Sequence, residues 1–146
     1  MRSSIETIMA QGVVIARPDH TVDYVRRQMK TLDIHAVPVA DDDGQAIGIV
    51  RWRDLIDAAA ADEVAAVMSK RVLTADLSVD CVEAARTMRA NSRHHLVVTE
   101  RGRIVGIVSA FDFLQLVAGH GARPSDTAEF ATGIFQVRDD ASRLDD

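Results

Sequence analysis

The sequence predicts a mixed α/β (α+β) fold made of two copies of one β-α-β-β-α unit, and three observations predict it. The first is a repeat. The stretch from Met9 through Gly48 to Asp54 recurs from Met68 through Gly106 to Asp112, at an offset of 59 residues that pairs Met29 with Met88, His35 with His94 and Val39 with Val98. After a turn the offset is 58, pairing Gly44 with Gly102 and Asp54 with Asp112; a deletion costs least in a surface turn. The second is a set of short apolar runs bounded by turn residues, apolar on both faces as strands covered by helices are. The third is apolar spacing of helical period between those runs. Two copies with a short join suggest a pseudo-symmetric pair with function at the seam.

In the first copy Val13-Val14-Ile15 reads as a strand, and Arg17-Pro18-Asp19 as a turn and helix cap. Val22, Val25, Met29 and Leu32 then lie on one helix face. On the same helix Arg26, Arg27 and Lys30 read as a solvated face. Ala36-Val37-Pro38-Val39 is the next strand; Pro38 has no N–H to donate, which places it at an edge or an irregularity. Ile47-Gly48-Ile49-Val50 follows the acidic turn, and a helix is expected from about Arg51 through Ala58 to Ala61.

The second copy repeats the order, with Val72-Leu73-Thr74, a helix carrying Cys81, Ala84, Ala85 and Met88, then His95 to Val98 and Ile104 to Val108. Phe111, Leu114 and Val117 mark the last helix. Cys81 fills the slot of Val22 and reads as a small core residue. Residues 62–68 lack Gly and Pro and read as a helical joiner. Residues 120–146 stand outside the repeat as an acidic tail, with six carboxylates against three arginines and a small apolar group at Phe130, Ile134, Phe135 and Val137.

Composition narrows the function. With 47% apolar and 27% charged residues the chain has the balance of a soluble globular protein. A net charge of −5 argues against a sequence-independent grip on nucleic acid. No apolar run is long enough to span a bilayer, and a single cysteine forms no internal disulfide, so a cytoplasmic setting is expected. A phosphate loop of the Walker type, a nucleophile elbow and zinc-ligand spacing are all missing, so no catalytic residue and no enzymatic activity are expected. His94-His95 lacks a third ligand at suitable spacing for a metal.

The sharpest local signal is Gly106-Ile-Val-Ser109-Ala-Phe-Asp112, a strand running into a helix start. A hydroxyl and free N–H groups there suit an anion, and a carboxylate one turn on can accept from two sugar hydroxyls. The same spacing is that of a capping box. In the first copy the stretch reads Gly48-Ile-Val-Arg51-Trp-Arg53-Asp54, where Arg51 replaces the serine, cannot cap, and offers a phosphate-binding fork instead.

Taken together, Ile34-His-Ala-Val-Pro-Val39 with Gly48 to Asp54, and Arg93-His-His-Leu-Val-Val98 with Gly106 to Asp112, resemble the CBS domain in tandem. The resemblance spans roughly residues 5–119. It implies unit 1 at 5–61, unit 2 at 62–119, and the two packed through their sheets about a pseudo-twofold axis, with two clefts that in the family bind AMP, ADP, ATP, S-adenosylmethionine or NAD. By position, Asp112 would hold ribose hydroxyls and Ser109 a phosphate or sugar oxygen. Val72, Leu73 and Thr74 would wall the purine, and Leu96 and Val97 would lie beneath it. The first cleft would use Asp54, with Val13, Val14, Ala36 and Pro38 as its wall. His35, His94, His95 and Arg53 would face phosphates. Because adjacent strand residues point to opposite faces, only one of His94 and His95 should reach a given cleft. There are two departures from the family pattern: Arg51 stands for Ser/Thr in the first copy, and Val97 takes the slot of Pro38 and weakens the Pro-Val signature in the second; the second cleft is ranked first.

The resemblance leaves two functional expectations. One is a regulatory module that senses an adenosine-containing small molecule and signals to a client protein, as a homodimer. The other is an assembly module without a small ligand. Neither involves nucleic acid or membrane.

Overall fold

The computed structural model describes residues 3–9 and 13–118, so expectations for the 120–146 tail lie outside the described residues. Two small sheets carry the architecture. In the first, β1 (Ala36–Ala40) pairs antiparallel with β2 (Ala46–Arg51). In the second, β3 (Thr74–Asp76) runs parallel to β4 (His95–Glu100), which pairs antiparallel with β5 (Arg103–Ser109). Helices α1 (Val22–Leu32) and α3 (Cys81–Ala90) cover equivalent faces, and α2 (Trp52–Leu55) and α4 (Leu114–Ala118) follow β2 and β5. Both hairpins shift register at the same place in the repeat, Val39/Ala40 and Val98/Thr99.

Thr21 begins α1 by accepting from the Tyr24 N–H, and Asp80 begins α3 by accepting from Val82 and Glu83. Each helix buries one stripe: Val22, Val25 and Met29 on α1, Cys81, Ala84 and Met88 on α3. Burial raises the Cys81 thiol pKa, in keeping with a core side chain.

Strand alternation divides the second sheet. Leu96, Val98 and Val108 face their own helix, whereas Val97, Ile104 and Ile107 join the core built on the first unit. The units are therefore packed through their sheets, as a pseudo-symmetric pair.

The lead segments of the two copies are exchanged. Ile5 N–H donates to the Val79 carbonyl at 2.8 Å and Cys81 N–H to the Ser3 carbonyl at 2.7 Å. In the mirrored positions Val64 N–H donates to His20 and Val22 N–H to Asp62, at 2.8 and 2.7 Å. Ile5 and Ile8 are buried in the core of the second unit and Val64 in that of the first. The second copy's lead segment also pairs with β2, through mutual Ile49–Ser69 bonds of 2.9 Å. That crossing requires Gly48, where a Cβ would sit 2.6 Å from Met68 Sδ and 2.9 Å from the Ser69 carbonyl oxygen.

Five expectations are corrected. Val13-Val14-Ile15 is not a strand: only Ala16 bridges, its N–H donating to Pro38 and its carbonyl accepting from Ala40. In the second unit Val97 N–H donates to Leu73; Pro38 fills that slot in the first unit and has no proton to give. The second copy's first strand begins at Thr74, later than Val72. α2 ends at Leu55, short of Ala58 to Ala61, because the following backbone serves α1: Val22 and Asp23 donate their otherwise unpaired N–H groups to Asp62 and Ala60. Arg26 is not merely solvated; its Nη2 donates to the Leu55 and Ala58 carbonyls at 2.6 and 3.0 Å. The joiner is one 3-10 turn, Val64–Ala66.

Candidate ligand-binding cleft

Where the two units meet, a cleft of about 370 Å³ opens at the heads of β1 and β4. That volume falls near the lower end of small-molecule pockets, about 300–1,000 Å³. The first unit supplies His35 from ahead of β1 and Ile49, Arg51, Trp52 and Arg53 from the β2–α2 junction. The second supplies Ser69, Arg71 and Leu73 before β3, and Ser92 to His95 before β4. Four guanidinium groups and three imidazoles line it, and no carboxylate does.

Local structure places these groups. Asp33 and Ser92, equivalent in the repeat, take left-handed φ values of 56° and 54° and turn the chain out of α1 and α3 toward the seam. The His35 carbonyl then accepts from Trp52 N–H, and the His94 carbonyl from Ala110 N–H, each at 2.8 Å. Each histidine is thereby tied to the first turn of the helix following its own hairpin. His94 precedes β4, so strand alternation does not separate it from His95, and both line the cleft. The expectation that only one would reach it is corrected.

Arg51 behaves differently from the expectation drawn for it. Its Nε and Nη2 donate to Asp54 Oδ2 and Oδ1 at 3.0 and 3.1 Å, and its backbone N–H donates to Oδ2 at 2.8 Å. The carboxylate half of the capping box thus survives in the first copy, and the guanidinium fork is already engaged by Asp54. In the second copy Ser109 N–H and Oγ donate to Asp112 Oδ2 at 2.7 and 2.9 Å. Ser109 and Asp112 are 5% and 7% exposed and stand outside the cleft. Burial pushes the Asp112 carboxyl up to about 6, opposed by the two Ser109 bonds.

His95 carries the strongest electrostatic signature of the cleft. Its first-copy counterpart is Ala36, so an imidazole here occupies a slot otherwise filled by a methyl group. Burial, then His94, Arg51 and His35, hold its pKa down to about 4. Two of those three neighbours belong to the other unit.

A family model described as the CBS domain matches residues 5–61 and again residues 64–119. The chain belongs to the CBS domain family. As a tandem CBS pair it is a regulatory type of module, and nothing shows enzymatic activity. The inosine-5'-monophosphate dehydrogenase of Mycobacterium tuberculosis is 34% identical over 113 residues, 75% of this chain and 21% of that enzyme. The pair thus spans about a fifth of such curated relatives. The cytosolic domain of the Mg2+ channel MgtE, solved in complex with ATP, is 32% identical with a TM-score of 0.68, covering 74% of this chain and 46% of that one. The CBS domain of a membrane protein from Sphaerobacter thermophilus is 27% identical with a TM-score of 0.70, covering 77% and 86%. Among the described residues of this CBS pair, no helix is long and apolar enough to cross a membrane.

Of the residues read from sequence, the cleft gathers His35, Arg51, Arg53, Leu73, His94 and His95. Val13, Val14, Ala36 and Pro38 are buried in the first unit, and Leu96 and Val97 are core residues. Val72 is half-buried against the first unit's core, Thr74 is exposed and Asp54 pairs with Arg51. Missed among the charged and aromatic lining residues were Arg71, Arg93 and Trp52. Each stood next to a named residue: Arg71 before Val72, Arg93 before His94, Trp52 between two arginines.

Proposed function

We propose that this CBS pair is a regulatory module that takes an adenosine-containing nucleotide into the seam cleft and passes its bound or free state to a client protein. The observation that carries this reading is the lining, with four arginines, three histidines and one tryptophan converging from both units. An indole face suits a purine, and guanidinium groups suit phosphates. The MgtE relative, whose solved domain holds ATP, supports the same reading. Because both units contribute, a ligand that favours one packing of the units over another shifts that equilibrium by its differential affinity, about 1–3 kcal/mol. For the counterpart site across the pseudo-twofold we propose Ser109 and Asp112 as sugar- and phosphate-binding groups, and a homodimer as the working assembly.

Thermal melts of the chain with AMP, ADP, ATP, S-adenosylmethionine and NAD test the reading. A ligand at a hundred times its dissociation constant adds about 2.7 kcal/mol, a rise of several degrees for a domain of this size. Trp52 is the only tryptophan and lines the cleft, so its emission should change with the same ligand. No shift and no emission change with any of the five would remove the sensor reading.

One observation favours the alternative, a ligand-free assembly module. Phe111, Leu114 and Val117, spaced by three residues, are 53%, 50% and 85% exposed. In that case Leu114→Asp would abolish self-association while nucleotides have no effect.

A further inference from the structure

We infer that the seam cleft selects its ligand by negative charge: it is a receptor for a nucleoside polyphosphate, and it excludes neutral or cationic adenosyl compounds. This rests on the sensor reading above and narrows its ligand class.

The charge inventory carries the argument. Among the described residues, the cleft arginines make one ion pair, that of Arg51 with Asp54. Arg53, Arg71 and Arg93 line the cleft and make no ion pair with any carboxylate of the described residues. Three uncompensated guanidiniums around about 370 Å³ repel one another, in a chain whose overall charge is −5. Concentrating positive charge at one seam of an acidic protein produces a local field for anions. Arg51, held by Asp54, adds little to it.

The arrangement also divides the charge between the two units. Arg53 sits at the β2–α2 junction of one unit, and Arg71 and Arg93 lead into β3 and β4 of the other. A single phosphate satisfies a fork or two, whereas a chain of phosphates spans both units and engages the guanidiniums of each. The imidazoles add to the same lining. His95 is held neutral first by burial and then by His94, Arg51 and His35. A sulfonium centre brought to this wall meets guanidiniums and no carboxylate on the lining, so S-adenosylmethionine is disfavoured by the same groups that attract phosphates.

Titration of the full chain, followed by Trp52 emission and calorimetry, tests the inference with inorganic tripolyphosphate, ATP, ADP, AMP, adenosine and S-adenosylmethionine. Affinity should rise about tenfold for each phosphate from AMP to ATP, as each adds charge-assisted bonds. Tripolyphosphate should bind alone and compete with ATP, and S-adenosylmethionine should not. Arg53→Ser and Arg71→Ser, both at exposed positions, should each weaken ATP about tenfold. Arg86→Ser, exposed on α3 away from the cleft, should change nothing. Adenosine and S-adenosylmethionine binding as tightly as ATP would overturn charge selection and leave the adenosine sensor intact. Tripolyphosphate matching ATP, with adenosine inert, would keep the polyanion receptor and remove its adenosine specificity. If nothing binds, both fall.

Discussion

Val97 donates its backbone N–H to the Leu73 carbonyl at 2.9 Å, and Pro38, its counterpart in the first unit, has no N–H with which to make that bond. Both residues are paired within their hairpins, but only Val97 can also donate to the parallel neighbour. The parallel strand is accordingly three residues long in the second unit and a single bridge at Ala16 in the first. Val97→Pro should shorten β3 in the same way. It leaves the Leu73 carbonyl without its donor, at about 1–3 kcal/mol, and urea unfolding monitored by circular dichroism should show the loss.

The exchanged lead segments should be worth as much as core. Ile5 is fully buried in the second unit's cluster although it opens the first copy. Ile5→Ala is expected to cost about 2–5 kcal/mol. Hydrogen exchange should show the loosening in α3 and β4 before α1, and protection lost from α1 alone would contradict the exchange.

Asp54→Ala separates two roles for that carboxylate. The change removes the acceptor for Arg51 N–H and frees the guanidinium. Stability should fall by about 1 kcal/mol through the lost cap, while tripolyphosphate affinity should rise because a fourth cation becomes available. A ribose-binding Asp54 would instead make ATP bind more weakly in the variant, which ATP titration would reveal.

The depressed His95 pKa gives a signed pH dependence. In the free protein His95 is neutral down to about pH 4; its unfolded value is near 6.5. The stability it contributes is therefore present above pH 6.5 and is lost as pH falls toward 4. A bound polyphosphate favours the imidazolium and raises the pKa, so binding takes up a proton and tightens as pH falls from 7. The limit is about tenfold per pH unit for one proton. His95→Asn should flatten the wild-type slope, and identical slopes in the two proteins would exclude His95 as the group.

Asp112 runs in the opposite sense. Its carboxyl is raised to about 6 from 3.8, so its protonated form is favoured in the folded state. That contribution is complete below about pH 3.8 and is lost as pH rises through 6. Relative to Asp112→Asn, wild-type stability should decline between pH 4 and 7 by about 2–3 kcal/mol at most. Paired urea melts across that range measure it.

The repeat, α1, α3 and both hairpins were legible because they rest on period and turn chemistry within short windows. The Ala58 to Ala61 stretch misled because alanine favours helix wherever nothing else claims the backbone; here Val22 and Asp23 claim the Ala60 and Asp62 carbonyls. The lead-segment exchange was invisible, since Ile5-x-x-Ile8 and Val64-x-x-Val67 are interchangeable as sequence and only tertiary packing decides which helix each covers. The histidines and arginines of the cleft were half legible. His35 and His94 followed from the repeat and Arg53 from the family resemblance, but Arg71 and Arg93 have no basic partner in the first copy, where Gly12 and Ile34 stand at the equivalent positions.

Because each lead segment completes the other unit, a single unit in the arrangement of the tandem chain lacks the segment that covers its own helix. Residues 63–118 expressed alone lack Ile5 and Ile8 over α3 and carry Val64 with no α1 to cover. The symmetric way to satisfy both is for two such fragments to trade arms, reproducing with separate chains the arrangement that the tandem chain holds by one covalent join. The protein is in that sense a domain-swapped dimer that has been fused end to end, and the 62–69 stretch is at once its hinge loop and its swapped arm.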